Sequence, residues 1–86
     1  MNFGEAIQRM KNGESVLRCA WGKKSLFLVK GTVLHNIITE TYGNGVPEET
    51  PKVQNCIAMY SGEDKKVLIG WTPSQEDLLA EDWEAL

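Results

Sequence analysis

The sequence contains few of the residues from which catalytic and metal centres are built. Its 86 residues include one histidine, His35, and two cysteines, Cys19 and Cys56. A zinc site needs three or four ligands, and there is no Cys-x-x-Cys pair or second histidine to complete one. Each cysteine lies within an apolar run, which predicts two small buried side chains and no disulfide. We therefore predict no metal, no cofactor and no catalytic residue.

Basic charge and phosphate-binding loops are also scarce. Nine Lys and Arg residues face 12 Asp and Glu residues, which gives a net charge of −3. A general nucleic-acid binder carries a basic face and a high pI, so we predict no polymeric nucleic acid as partner. There is no P-loop, and Gly43-Asn44-Gly45 lacks the following helix that would make it a phosphate cradle. An anionic ligand must then be held by local donors.

Long hydrophobic runs are missing as well. The apolar stretches are too short to cross a bilayer, and the first residues show neither a basic region nor an apolar signal core. Unpaired cysteines suit a reducing compartment. These features predict a cytoplasmic protein with no membrane partner.

Periodicity predicts an α+β fold, with one antiparallel β-sheet packed with an N-terminal helix and a short C-terminal helix. A helical stripe with capping-box spacing from Asn2 to Glu5 opens the chain, and its members are Phe3, Ala6, Ile7 and Met10. Strand-like runs follow at about 15–20, 25–30, 33–41, 53–60 and 66–71. Their connections are too short for parallel crossovers, and the length suits a single domain over 1–86.

The last segment is expected to form a helix opened by Ser74 and Asp77, again with capping spacing. Its predicted apolar face consists of Leu78, Leu79, Trp83 and Leu86. We expect Trp83 to be a core residue, because a small domain uses tryptophan as bulk.

Two tryptophans stand out as candidate binding residues because each ends a strand-like run beside polar, turn-forming residues. Trp21 and Trp71 could stack on a flat base, or they could simply pack in the core. Other candidates would line a pocket, supply charge or bond hydroxyl and phosphate groups; they are Phe27, Arg18, Lys23, Lys24, Ser74, Gln75 and Asp77. Arg18 and the lysines could equally be solvated, and we prefer a capping role for Asp77.

The two ends of the chain resemble a known family. Three segments are similar to small phage and prophage proteins that include the second-described type of Thoeris anti-defence protein. They are Asn2-Phe3-Gly4-Glu5-Ala6-Ile7, Ala20-Trp21-Gly22 and 71–83, which reads Trp-Thr-Pro-Ser-Gln-Glu-Asp-Leu-Leu-Ala-Glu-Asp-Trp. The matched segments cover about a third of the chain.

This resemblance implies a sponge in the host bacterial cytoplasm. It would bind and sequester, without cleaving, the signal glycocyclic ADP-ribose (gcADPR) that TIR proteins make, and so block the Thoeris effector. It also implies a homotetramer with pockets at subunit interfaces, and a separate site for cyclic oligonucleotides in some members. From the residues alone, a phage inhibitor of a host protein, an enzyme of nucleotide turnover and a virion component remain alternatives.

Overall fold

The computed structural model describes residues 1–33, 36 and 53–86 of the chain. In chain order the elements are α1 (Phe3–Lys11), β1 (Val16–Arg18), β2 (Lys24–Val29), β3 (Cys56–Ser61), β4 (Lys66–Ile69), α2 (Gln75–Leu79) and β5 (Trp83–Ala85). None of the helices in this part of the chain has the length and apolarity needed to span a bilayer.

The first helix forms where the sequence predicts it. The Asn2 side chain accepts a hydrogen bond from the Glu5 backbone N–H at 2.9 Å, and the Glu5 carboxylate accepts one from the Asn2 N–H at 3.1 Å. This capping box satisfies two donors that have no partner within the helix. The predicted stripe faces the sheet, with Phe3, Ala6 and Met10 buried.

The strands form one five-stranded sheet in the order β4-β3-β2-β1-β5, and every neighbouring pair is antiparallel. The predicted α+β fold with a single antiparallel sheet and two helices is therefore confirmed. Strand β2 pairs with β3, with Leu26 opposite Met59 and Phe27 opposite Ala58. Because side chains alternate along a strand, Leu26 and Phe27 lie on opposite faces of the sheet.

The core lies between α1 and one face of the sheet. Its buried sheet residues are Val16, Leu26 and Trp83, one from each of β1, β2 and β5. Trp83 is fully buried, as predicted. The other sheet face exposes Tyr60, Val67 and Ile69 and carries the half-buried Phe27; we call these four residues the open sheet face.

The C-terminal prediction is wrong in one respect. The second helix ends at Leu79, because Ala80 is extended with φ −68° and ψ 146°. The chain then forms β5, which pairs with β1 so that Trp83 lies opposite Arg18. Pairing with β1 buries the indole, whereas the predicted helical face residues Leu79 and Leu86 are exposed.

Two further predictions differ from the structure. Of the strand expected over 33–41, the structure describes only Val33 and Asn36, and both are helical; the other residues of that range lie outside the described residues. Cys19 and Cys56 are both free thiols, as predicted, but Cys19 is exposed and Cys56 half-buried, so neither is fully buried.

Candidate functional site

The site is centred on an aromatic cluster, formed by Phe3, Trp21, Trp71 and Trp83. Trp83 lies in the middle, with ring centroids 5.1 Å from Trp21, 5.3 Å from Phe3 and 6.5 Å from Trp71. Trp21 and Trp71 remain half-buried at the rim. The cluster therefore has a buried centre and two indoles that reach the protein surface.

The two rim indoles contact each other edge to face. Their centroids are 6.0 Å apart and their planes are inclined by 74°. A base sandwiched between two rings needs parallel faces with an open space between them, and this pair has neither. Within one chain the indoles can offer a single stacking face each, and no base can lie between them.

The centre of the cluster is held by a hydrogen bond as well as by packing. The Trp83 indole N–H donates to the Asp77 backbone carbonyl at 3.1 Å. This bond satisfies the polar atom of a fully buried ring and fixes α2 above the sheet. The Trp83 backbone N–H also donates to the Met1 carbonyl at 3.1 Å, so both ends of the described chain meet at this indole.

Arg18 lies beside the cluster in a network of carboxylates. Its Nε donates to Asp82 at 2.9 Å, and its Nη1 donates to Asp77 at 3.0 Å, with Glu76 at 3.5 Å. We call these four residues the Arg18 network. Arg18 is 9% exposed, and the hydrogen bonds to Asp82 and Asp77 raise the pKa of its guanidinium. Arg18 is therefore a buried, paired cation and not a solvated strand residue.

The carboxyl groups of this network are held in their charged form. The hydrogen bond from Arg18 is the main cause that lowers the pKa of Asp82, against a smaller opposing effect of burial. Burial acts to raise the pKa of Asp77, but hydrogen bonds from the Ser74 backbone and from Arg18 outweigh it and lower that pKa. Three carboxylates surround one guanidinium. The region formed by Trp21, Trp71 and the start of α2, which we call the corner, therefore carries a local negative charge.

Ser74 begins α2 and forms the predicted capping box with Asp77. The Ser74 hydroxyl accepts from the Asp77 N–H at 3.1 Å, and the Asp77 carboxylate accepts from the Ser74 N–H at 3.1 Å. The capping role preferred for Asp77 is confirmed. The acidic Glu76 and Asp77 in this first turn oppose an anion at the start of α2.

The remaining candidates lie in different places. Lys24 is exposed as the first residue of β2, three positions after Trp21, and Gln75 is exposed at the start of α2. Phe27 lies on the open sheet face, whereas the aromatic cluster packs on the opposite, core face. One chain therefore brings together Trp21, Trp71 and the start of α2, and it separates Phe27 from them.

Comparison with known proteins identifies the family. The Thoeris anti-defense 2-like domain matches residues 1–86. The chain belongs to this family. It is 35% identical to Thoeris anti-defense 2 of Bacillus phage SP01 over an alignment of 86 residues. The alignment covers 98% of this chain and 92% of the relative. The resemblance inferred from the two ends of the sequence is thus confirmed over the whole length.

Sequence reasoning missed two features of the site. Phe3 was assigned only to the helix stripe, yet its ring also packs beside two indoles. Its ring centroid lies 6.4 Å from that of Trp71 and 5.3 Å from that of Trp83. Lys66 shares a sheet face with Lys24, because both lie opposite Ser61 in the strand register. Register is set by tertiary pairing, so no local pattern could reveal this second lysine.

The described residues show no alternative centre for chemistry. No group of three or more His, Cys, Asp or Glu side chains among them could hold a metal ion. A hydrogen bond to Glu84 and burial raise the pKa of the Cys19 thiol. A raised pKa reduces the thiolate fraction and hence nucleophilicity. What the corner offers is aromatic surface, hydroxyl and amide groups, and paired charge.

Proposed function

We propose that this protein binds and sequesters gcADPR without cleaving it, and so prevents activation of the Thoeris effector in the cytoplasm of the infected host bacterium. The observation that carries the proposal is membership of the Thoeris anti-defense 2-like family over residues 1–86. The relative from Bacillus phage SP01 bears the name of an anti-defence protein, which fits a role that needs no catalysis.

The half-buried indoles support a purine-binding role. Trp71 and Trp21 expose part of their rings beside a cluster that fixes their orientation, and stacking on a rigid ring needs little ordering on binding. Stacking of a base on an aromatic side chain contributes roughly 1–3 kcal/mol. We infer that the adenine lies on an outer face of one indole and not between the two.

Different polar side chains suit the neutral ribose groups and the charged pyrophosphate of the ligand. Ribose hydroxyls are donors as well as acceptors, and they suit the exposed Ser74, Gln75 and Glu76 at the start of α2. The pyrophosphate would be repelled by the carboxylates there. We therefore assign its charge to Lys24 and Lys66, which lie on one sheet face about 10 Å apart, two strand spacings.

Arg18 takes a supporting part in this proposal. Its Nε and Nη1 atoms already donate to Asp82 and Asp77, so part of its charge is compensated within the chain. It holds α2, and with it Ser74 and Gln75, at a fixed position over β1. We therefore propose a positioning role for Arg18 in place of direct contact with the ligand.

We further propose that the ligand is enclosed between copies of the chain. Tight binding of a small molecule requires burial of most of its surface, and the corner is open on one side in a single chain. The open sheet face supports association of copies, because Tyr60, Val67 and Ile69 are each 41–52% exposed along neighbouring strands. It lies on the opposite side of the sheet from the aromatic cluster, so the contact that closes the ligand site would be a second one. Association through this face would bring Phe27 of one copy into a subunit interface, in a homotetramer as the resemblance implies.

Calorimetry with gcADPR tests the binding proposal. We expect sub-micromolar affinity for the wild-type protein and a loss of roughly 5- to 150-fold in Trp71→Ala, the equivalent of one stacking contact. Trp21→Ala is measured in parallel to decide which indole carries the base. Leu79→Ala, at a 79% exposed residue away from the cluster, is the matched control and should bind like wild type.

The fate of the ligand separates the alternatives. Heating the complex should release intact gcADPR, detected by chromatography; a degraded product would instead indicate an enzyme. Absence of heat with gcADPR, together with a stable complex captured from host lysate, would favour an inhibitor of a host protein. Cyclic dinucleotides are titrated separately, because the resemblance implies a second nucleotide site in some relatives.

Native mass spectrometry tests the association. Wild type should form a homotetramer, and Val67→Asp with Ile69→Asp should shift it to smaller species, because two charges would be desolvated in the interface. Leu79→Asp is the control with a charge outside the open sheet face. A wild-type monomer that still binds gcADPR with high affinity would contradict the interface pocket.

A further inference from the structure

A second concave site lies at the opposite end of α1 from the aromatic cluster. It is a groove of about 520 Å³ between the end of α1 and the adjoining ends of β2 and β3. The groove reaches Met10, whereas the cluster contacts Phe3, and seven residues of helix separate these positions by about 10 Å. Its volume lies within the range of small-molecule sites, about 300–1,000 Å³.

The floor of the groove is aliphatic. It is formed by Ile7 and Met10 from α1 and by Leu28 and Ile57 from the sheet. No aromatic ring is among the described residues that line it, so it offers no platform for a base. Branched aliphatic side chains and a flexible thioether suit a hydrocarbon chain, which gains free energy in proportion to the apolar area removed from water.

The charged residues among the described lining of the groove are both lysines. Lys11 stands on the helix wall and Lys30 on the sheet wall, both exposed, and no Asp or Glu is among the described lining residues. This is unusual in a chain with a net charge of −3. Neither lysine has a carboxylate within 4.0 Å among the described residues, so their charge is not neutralised there.

The polar groups at the mouth are donors as well. The side-chain oxygen Oδ1 of Asn55 accepts from the Gly31 N–H at 2.7 Å, which leaves the side-chain N–H groups of Asn55 for another acceptor. The Thr32 hydroxyl lies in the same lining. An aliphatic floor under two cations and two neutral donors is complementary to a molecule with one anionic head and one apolar chain.

We propose that this groove binds a medium-chain fatty acid anion. The carboxylate lies between Lys11 and Lys30, and the alkyl chain packs over Ile7, Leu28 and Ile57. The site is separate from the aromatic cluster and does not depend on the proposed nucleotide binding. It gives the protein a second ligand of a different chemical class.

Titration of the full chain with decanoate tests this proposal. In methyl NMR spectra we expect shifts at Ile7, Leu28 and Ile57, with the indole N–H of Trp83 unchanged. Lys11→Gln with Lys30→Gln should weaken binding roughly tenfold or more by loss of the charge-assisted contacts. Lys65→Gln, at an exposed lysine outside the groove, should bind decanoate like wild type.

Three results would overturn the proposal. The first is the absence of methyl shifts at millimolar decanoate, which would also be the outcome if another part of the chain or a second copy fills the groove. The second is equal binding of decanol and decanoate, since the lysines would then contribute nothing. The third is binding only to phosphatidylglycerol vesicles and not to monomeric decanoate. Melting temperatures of all variants confirm that each remains folded.

Discussion

The Nε atom of Arg18 donates a hydrogen bond of 2.9 Å to Oδ1 of Asp82, across 64 positions of sequence. The same guanidinium binds Asp77 in α2, so one side chain of β1 holds both the last helix and the segment that enters β5. The Asp82 backbone carbonyl also accepts from the Cys19 N–H at 3.0 Å. The position of the candidate site therefore depends on this network as much as on aromatic packing.

Removal of the guanidinium should destabilise the fold more than removal of an exposed arginine. Arg18→Leu leaves Asp77 and Asp82 close together without a cation, and uncompensated carboxylates in a partly buried site are costly. We expect a clear fall in melting temperature, measured by circular dichroism. Arg9→Leu is the control: Arg9 pairs with Glu14 at 3.4 Å with 53% of its side chain exposed, and its loss should cost about 0.5 kcal/mol or less. Equal effects of the two substitutions would contradict the proposed role of the network.

Stability should fall in acid because of the same network. The pKa values of Asp77 and Asp82 are lowered in the folded chain, so these groups bind fewer protons there than in the unfolded chain. Their stabilising contribution is complete above the ordinary pKa of 3.8 and is lost as pH falls through the lower folded values. The contribution of Asp77 and Asp82 to the melting temperature should be constant above about pH 5 and should decrease below about pH 4.

Asp82→Asn provides the comparison for the acid prediction. It should melt at a lower temperature than wild type at neutral pH, and its melting temperature should depend less on pH between about 2 and 4, because one linked proton is missing. Parallel curves for the two proteins would show that Asp82 does not contribute to acid unfolding.

Capping and ligand binding at Ser74 can be separated by two substitutions. Ser74→Ala removes the acceptor for the Asp77 N–H and should lower the free energy of unfolding by about 1 kcal/mol. Ser74→Asp keeps a good N-cap and should change stability little, but it adds a negative charge where we place the ribose. We expect gcADPR affinity to fall in Ser74→Asp despite the retained fold. Unchanged affinity in that variant would move the ligand away from the start of α2.

Gly31 should tolerate no larger side chain. A Cβ atom there would clash with the carbonyl oxygen of Val53, which is a backbone atom and not the flexible end of a side chain. Gly31→Ala should lower the free energy of unfolding by about 1–3 kcal/mol through overpacking, measured by urea denaturation. Gly22→Ala, where a Cβ meets nothing within 4 Å, is the matched control. A neutral Gly31→Ala would mean that the chain near Val53 moves aside easily.

Local patterns predicted the elements that local chemistry stabilises. The capping boxes at Asn2 and Ser74 were visible as residue spacings, and both form. The stripe of α1 and the antiparallel sheet were likewise readable from periodicity and short connections. The burial of Trp83 was predicted correctly, but Trp83 was assigned to a helix and lies in β5. An aromatic residue in a short acidic segment fits a helical face as well as an edge strand.

The candidate site was only partly predictable for the same reason. Trp21, Trp71 and Ser74 were singled out by their position at strand and helix ends, and the fold brings them to one corner. Phe27 was grouped with them by residue type, yet strand alternation places it on the other face. Arg18 was treated as a free cation, because its three carboxylate neighbours come from residues 58 to 64 positions away.

By itself, the sequence determined the helix starts, the sheet-forming runs, the scarcity of metal and nucleophilic side chains, and the family resemblance. These follow from interactions between residues a few positions apart, or from composition. Only the tertiary structure decided that the last residues form β5, that the indoles meet edge to face, and that Arg18 is buried among carboxylates. Those outcomes depend on which distant segments pair, and the free energy of such pairing comes from shared burial and strand register, which no short stretch of sequence encodes.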